Sequence, residues 1–100
     1  MKVIYKYTLN PGGITTLEGY FDQFLDAQVQ DGNLVIWCVV APYDKEDGNI
    51  VPKNEKKNKF KFTCIGTGWP YQEEGVGEYC ATVQMPDGLV WHIFVDYNRI

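Results

Sequence analysis

Residues 79–96 read Tyr-Cys-Ala-Thr-Val-Gln-Met-Pro-Asp-Gly-Leu-Val-Trp-His-Ile-Phe-Val-Asp, and the reading of this stretch decides the fold class. Pro86-Asp87-Gly88 is turn chemistry. Proline presets φ at the first central position, and glycine supplies the left-handed residue of a G1 bulge. Closing this loop with Met85 opposite Leu89 pairs Val83 with Trp91, Ala81 with Ile93 and Tyr79 with Val95, all apolar. The other face receives Gln84 with Val90, Thr82 with His92 and Cys80 with Phe94, which is mixed. A slip of one residue would scramble that sorting, so turn and pattern together specify one antiparallel hairpin.

Working outward, Leu34–Val40 is apolar without alternation, as expected of a central strand covered on both faces. Ahead of it, Asp31-Gly32 or Gly32-Asn33 suits a two-residue primed turn and a second hairpin. Val3, Tyr5, Tyr7 and Leu9 alternate with Lys2, Ile4, Lys6 and Thr8 in a first strand with one wet face, which Asn10-Pro-Gly-Gly13 ends. Residues 14–26 read as a short strand, a loop and a second strand starting near Phe24. A helical turn is the alternative, because Thr15 and Glu18 have capping-box spacing. Lys59–Ile65 alternates with Phe60, Phe62 and Cys64 inward, and Gly66-Thr-Gly-Trp-Pro70 breaks it. Between lies 42–58, polar and lysine-rich, expected as a long exposed loop within a single 1–100 domain. The fold expected is all-β: a small antiparallel β-sandwich or partly closed barrel of six to seven strands with little helix.

One hundred residues with 45% hydrophobic content form one domain, which buries roughly two-thirds of its unfolded surface. The longest apolar run, Leu34–Ala41, is far short of the ~20 residues of a membrane span. The N-terminus has no apolar signal-peptide core, so a cytoplasmic location without membrane contact is expected. Cys38, Cys64 and Cys80 are odd in number and each lies in an apolar run, which reads as buried reduced thiols. The net charge of −4 disfavours a nucleic-acid partner. Five of the nine cationic residues (Lys53, Lys56, Lys57, Lys59 and Lys61) are nevertheless crowded together.

Four stretches occur in a characteristic order: Lys-Val-Ile-Tyr-Lys-Tyr near the start, Gln-Val-Gln-Asp-Gly before an aliphatic Trp strand, Phe-Thr-Cys-Ile-Gly-Thr-Gly-Trp-Pro, and Gln-Met-Pro-Asp-Gly-Leu-Val-Trp-His-Ile-Phe. That order resembles a family of small uncharacterised proteins of bacteriophages and their bacterial hosts. The resemblance covers most of the chain except the lysine-rich loop. It implies a phage-related context, the host-cell cytoplasm as location, and no assigned activity or functional residues.

Catalytic chemistry finds little footing. There is no serine, which removes Ser-His-Asp catalysis, and no cysteine shows the environment of a reactive thiolate. His92 is the only histidine and lacks partners at ligand spacing, so no metal and no cofactor is expected; a bond across the strand pair to Thr82 is the plainer role. Asp44-Lys-Glu-Asp-Gly-Asn49 misplaces its oxygens for a calcium loop and reads as solvated.

The informative irregular segment is Gly66-Thr-Gly-Trp-Pro70. Its glycines allow an anion nest, Thr67 adds a hydroxyl, and Trp69 and Tyr71 offer stacking surfaces. The plainer reading is a glycine bulge whose Trp69 caps the core. Lys59 and Lys61, opposite the Phe60–Phe62 face, either supply phosphate-binding charge or guard a strand edge. The expected function is a non-catalytic phage-related protein that sequesters a nucleotide-like host-defence signal. Its site comprises Lys59, Lys61, the Gly66, Thr67 and Gly68 backbone, Trp69, Tyr71 and His92. The alternatives are an inhibitor of a host protein, acting through a strand edge or acidic surface, and a minor structural or assembly protein of the phage. Unpaired sheet edges lead us to expect a symmetric dimer.

Overall fold

A computed structural model describes residues 2–40, 43–46, 49–52 and 58–99. These form strands β1 (Val3–Thr8), β2 (Ile14–Gly19), β3 (Phe21–Gln30), β4 (Asn33–Val40), β5 (Tyr43–Glu46), β6 (Asn49–Pro52), β7 (Asn58–Gly66), β8 (Glu78–Gln84) and β9 (Val90–Arg99). All pairings are antiparallel. One sheet runs β1-β4-β3, a second runs β2-β7-β9-β8, and β5 pairs only with β6. The two main sheets stack as an open sandwich rather than a closed barrel, and the described residues contain no helix.

The hairpins form where the turn chemistry put them. Gly88 N–H donates to Met85 O, Met85 N–H donates to Leu89 O, and Gly88 takes φ 89°, which is a turn with a G1 bulge. Asp31 and Gly32 both have positive φ, 51° and 80°, making a primed two-residue turn that sets Gln30 opposite Asn33. Pro11 and Gly12 (φ 72°) occupy the middle of the turn leaving β1, closed by Gly13 N–H to Asn10 O.

Three expectations need correction. β2 and β3 are separated by Tyr20 alone, so there is no intervening loop and no helical turn; two register shifts in β3, near Asp22 and Leu25, take up the bend instead. The stretch 42–58, read as a loop, contains the β5–β6 ladder, while residues 53–57, with Lys53, Lys56 and Lys57, lie outside the described residues, as do 47 and 48 of the calcium-like segment. Third, Tyr79 does not oppose Val95. A bulge at Cys80 puts Tyr79 opposite Phe94 and Glu78 opposite Val95, so Tyr79 leaves the core side and joins the outer face.

The core lies between the sheets. Leu34, Ile36 and Cys38 from β4 meet Phe60, Phe62 and Cys64 from β7 and Trp91, Ile93 and Val95 from β9. Val83 and Phe21 belong to the same core, and Phe21 packs on Phe60 with ring centroids 5.0 Å apart. β4 is central, and its second face is covered as well. Val35 and Val39 on that face are buried, and Lys6 Nζ hydrogen-bonds Gln30 Oε1, joining the strands on either side of β4.

Candidate functional site

The site lies on the outer face of the four-stranded sheet, where β7 ends. At Gly66 the strand turns: Trp69 N–H donates to Gly66 O, and Gly68 adopts φ 86°, which glycine supports without strain. The turn lays the indole of Trp69 flat over Gly66. A Cβ at position 66 would stand 2.8 Å from Trp69 Cε2, so only glycine permits this approach. The same indole meets Trp91 edge to face, with centroids 5.2 Å apart at 83°. Trp69 is half-exposed, so it caps the core with one side and faces solvent with the other.

Two cavities flank this turn. One, of about 280 Å³, is lined by Ile65, Gly66, Thr67, Gly68, Trp69, Tyr71, Tyr79, His92 and Phe94. The other, of about 340 Å³, is lined by Gly66, Thr67, Trp69, Gly88, Leu89, Val90 and Trp91. The first holds the polar chemistry. Thr67 Oγ1 is 2.7 Å from His92 Nε2, His92 Nδ1 is 3.1 Å from Thr82 Oγ1, and Thr82 Oγ1 is 2.7 Å from the Tyr79 hydroxyl. The aromatic walls are tied together as well: Phe94 packs against Tyr71 at 5.4 Å and Tyr79 at 6.0 Å.

Thr67, Trp69, Tyr71 and His92 thus come together with Gly66 and Gly68. The expected Thr82–His92 bond is present. Tyr79, Phe94 and Ile65 join the site without having been expected there. Phe94 was within reach of the alternation that carried His92, two residues away; Tyr79 was hidden by the Cys80 bulge.

The lysines stand apart. Lys61 lies four residues from Ile65 along β7, roughly 13 Å at strand rise, and is opposite Asp96 on one side and Thr16 on the other. Lys59 stands opposite Glu18. Neither lines either of these two cavities, and each stands across the sheet from a carboxylate residue, Glu18 for Lys59 and Asp96 for Lys61. The expected anion nest is also largely committed, since Thr67 N–H donates to Val90 O and Trp69 N–H to Gly66 O.

The thiols are placed for packing. Burial pushes Cys38 up to about 12 and Cys64 up to about 11; Cys80, at its bulge, is pushed to about 12 by burial and then by neighbouring thiols and Glu78. They are protonated at neutral pH and poor nucleophiles there. Among the described residues no three His, Cys, Asp or Glu side chains converge as a metal site, and no helix is long and apolar enough to cross a membrane.

No curated protein and no solved structure has significant similarity to this chain. A family profile does match, over residues 1–100: that of DUF7352, a domain of unknown function. Because the match spans the whole length, the chain belongs to the DUF7352 family.

Proposed function

We propose that this domain is a non-catalytic binding module that holds a planar, nucleobase-like ring in the cavity beside Trp69. The observation that carries the reading is the Thr67–His92–Thr82–Tyr79 chain, set beside Trp69, Tyr71 and Phe94. Ligand sites are mostly apolar clefts with a few convergent polar groups, and this cavity has that makeup. Stacking on Trp69 or Tyr71 supplies affinity; the hydroxyl–imidazole chain supplies orientation. A nucleotide-like ligand would be recognised by its base, with its phosphates directed to solvent rather than gripped by Lys59 or Lys61. The protonated thiols favour binding over nucleophilic catalysis. In the setting implied by the resemblance to phage proteins, such a module would sequester a nucleotide-like signal of host defence.

The test is calorimetry with nucleobases, nucleosides and linear and cyclic nucleotides on wild type and Trp69→Ala. Binding below about a millimolar that weakens in the variant by roughly 1–3 kcal/mol, the worth of one base–aromatic stack, supports the reading. No binding anywhere in the panel removes it. One observation favours a rival, inhibition of a host protein or pairing with a second copy through a strand edge. β1 is an edge strand without a bulge, and it leaves Ile4 and Tyr5 59% and 46% exposed.

A further inference from the structure

The four groups in the hydrogen-bonded chain share one property: each hydroxyl has a single proton, and the imidazole passes polarity from one nitrogen to the other. With His92 neutral and its proton on Nδ1, Nδ1–H donates to Thr82, Thr82 donates to Tyr79, and the Tyr79 proton is left for the cavity. Thr67 has then given its proton to Nε2, and its oxygen can only accept from a ligand. With the proton on Nε2 every bond reverses, leaving Thr67 as the donor and Tyr79 as the acceptor. In either tautomer one end of the chain donates and the other accepts.

Protonation of His92 breaks that rule. Both ring nitrogens now donate outward along the chain, so Thr67 and Tyr79 both keep a proton to offer the cavity. We infer that the Thr67–His92–Thr82–Tyr79 chain is the specificity element of the cavity. It selects rings that carry one donor and one acceptor while His92 is neutral, and acceptor-only or anionic rings once His92 is protonated. This rests on the proposal that the cavity binds a planar ring.

The surroundings of His92 suit the switch. Along β9 the nearest charged residue on its face is Asp96, with Lys61 opposite it on β7. β7 presents Ile65 to it, and β8 presents Thr82 and the Tyr79 hydroxyl. The covering loop contributes Thr67 and Tyr71, while its Glu73 and Glu74 do not line the cavity. No charged side chain lines the cavity, so the polarity of the chain sets what a ligand meets there.

The experiment uses benzamide, which has a donor and an acceptor, and benzoate, which has acceptors only. Affinities are measured by calorimetry on either side of the His92 titration midpoint, itself read from the NMR shift of the ring protons. The benzoate-to-benzamide preference is expected to rise by about tenfold on protonation, the worth of one charge-assisted hydrogen bond. Tyr79→Phe, which keeps the aromatic wall and removes one end of the chain, is expected to abolish most of that change; Lys61→Ala is expected to leave it intact. If both rings bind but the preference moves less than about threefold, or moves equally in Tyr79→Phe, the chain is not the selector and the inference falls while the cavity reading stands. If no aromatic probe binds at either pH, and the nucleotide panel is also silent, the cavity reading falls with it.

Discussion

On one side of β9, Trp91, Ile93 and Val95 are 7%, 0% and 0% exposed and pack between the sheets; on the other, Val90, His92, Phe94 and Asp96 are only half-buried. The two faces alternate along the same strand from Val90 to Asp96, yet they are completed by different means. The inner face is finished by strands that repeat its own period: Phe60, Phe62 and Cys64 opposite on β7, and Ala81 and Val83 on β8. The outer face is finished by a loop and a bulge. Thr67, Trp69 and Tyr71 come over it from the end of β7, and Tyr79 is rotated onto it at Cys80. Packing follows from periodicity, whereas the candidate site depends on departures from it.

The largest expected effect lies on the inner face. Trp91→Ala removes a buried indole that touches Trp69 and the core, and should cost about 3–5 kcal/mol of stability in chemical denaturation. A loss under about 1 kcal/mol would mean that the core tolerates a void there, contrary to its close packing.

This contrast explains what could be read in the chain. Pro86-Asp87-Gly88 and the alternation around it specified the β8–β9 register from Ala81 to Gln84, while Asp31-Gly32-Asn33 marked the β3–β4 hairpin but left its register open between two turns, because turn chemistry and pattern act locally. The Cys80 bulge carries no compositional mark: one inserted residue moves Tyr79 to the other face while leaving every residue type plausible. The placement of Lys61 opposite Asp96 was equally invisible, since Asp96 is 35 positions away and meets it only through strand pairing. Thr67 and His92 are both legible as site residues, but the chain joining them to Tyr79 needs three separate segments in register.

Next in size is Trp69, which belongs to both faces. Trp69→Ala should weaken binding of a ring ligand by roughly 1–3 kcal/mol and lower stability by about 1 kcal/mol through loss of the edge-to-face contact with Trp91. Calorimetry and denaturation on the same variant check the two roles. A loss of stability with affinity unchanged would make Trp69 a core cap alone.

A smaller effect separates the faces by pH. Burial holds Cys38 at about 12, against an ordinary value near 9.0, so the folded state keeps a proton that the unfolded chain loses as pH rises above 9. The unfolded state then binds fewer protons, and stability falls with pH between about 9 and 12, while below that window the thiol is protonated in both states and stability does not change with pH through it. The slope is at most about 1.4 kcal/mol per pH unit for one thiol. Comparing denaturation midpoints at pH 8 and 10 in wild type and Cys38→Ala tests this: the variant should be less stable at pH 8 but less sensitive to the pH step. Equal sensitivity would show that Cys38 titrates alike in both states.

Lys61→Ala should have the smallest effect, and it tests the outer face most directly. Lys61 sits on the same face as His92 but roughly four strand residues away from the cavity, opposite Asp96, whose charge has the other sign. Its removal takes away one cation across from Asp96, a surface interaction worth about 0–1 kcal/mol at most, and no contact in the cavity. Ring affinity should therefore change by less than about twofold, and its salt dependence should stay flat, since screening acts on exposed charges and none lines the site. Titrating wild type and Lys61→Ala with a nucleoside and the matching nucleoside monophosphate at low and high salt separates the possibilities. A tenfold loss confined to the phosphate-bearing ligand and erased by salt would place a phosphate near Lys61, and the ligand would then extend along β7 well beyond the aromatic cavity.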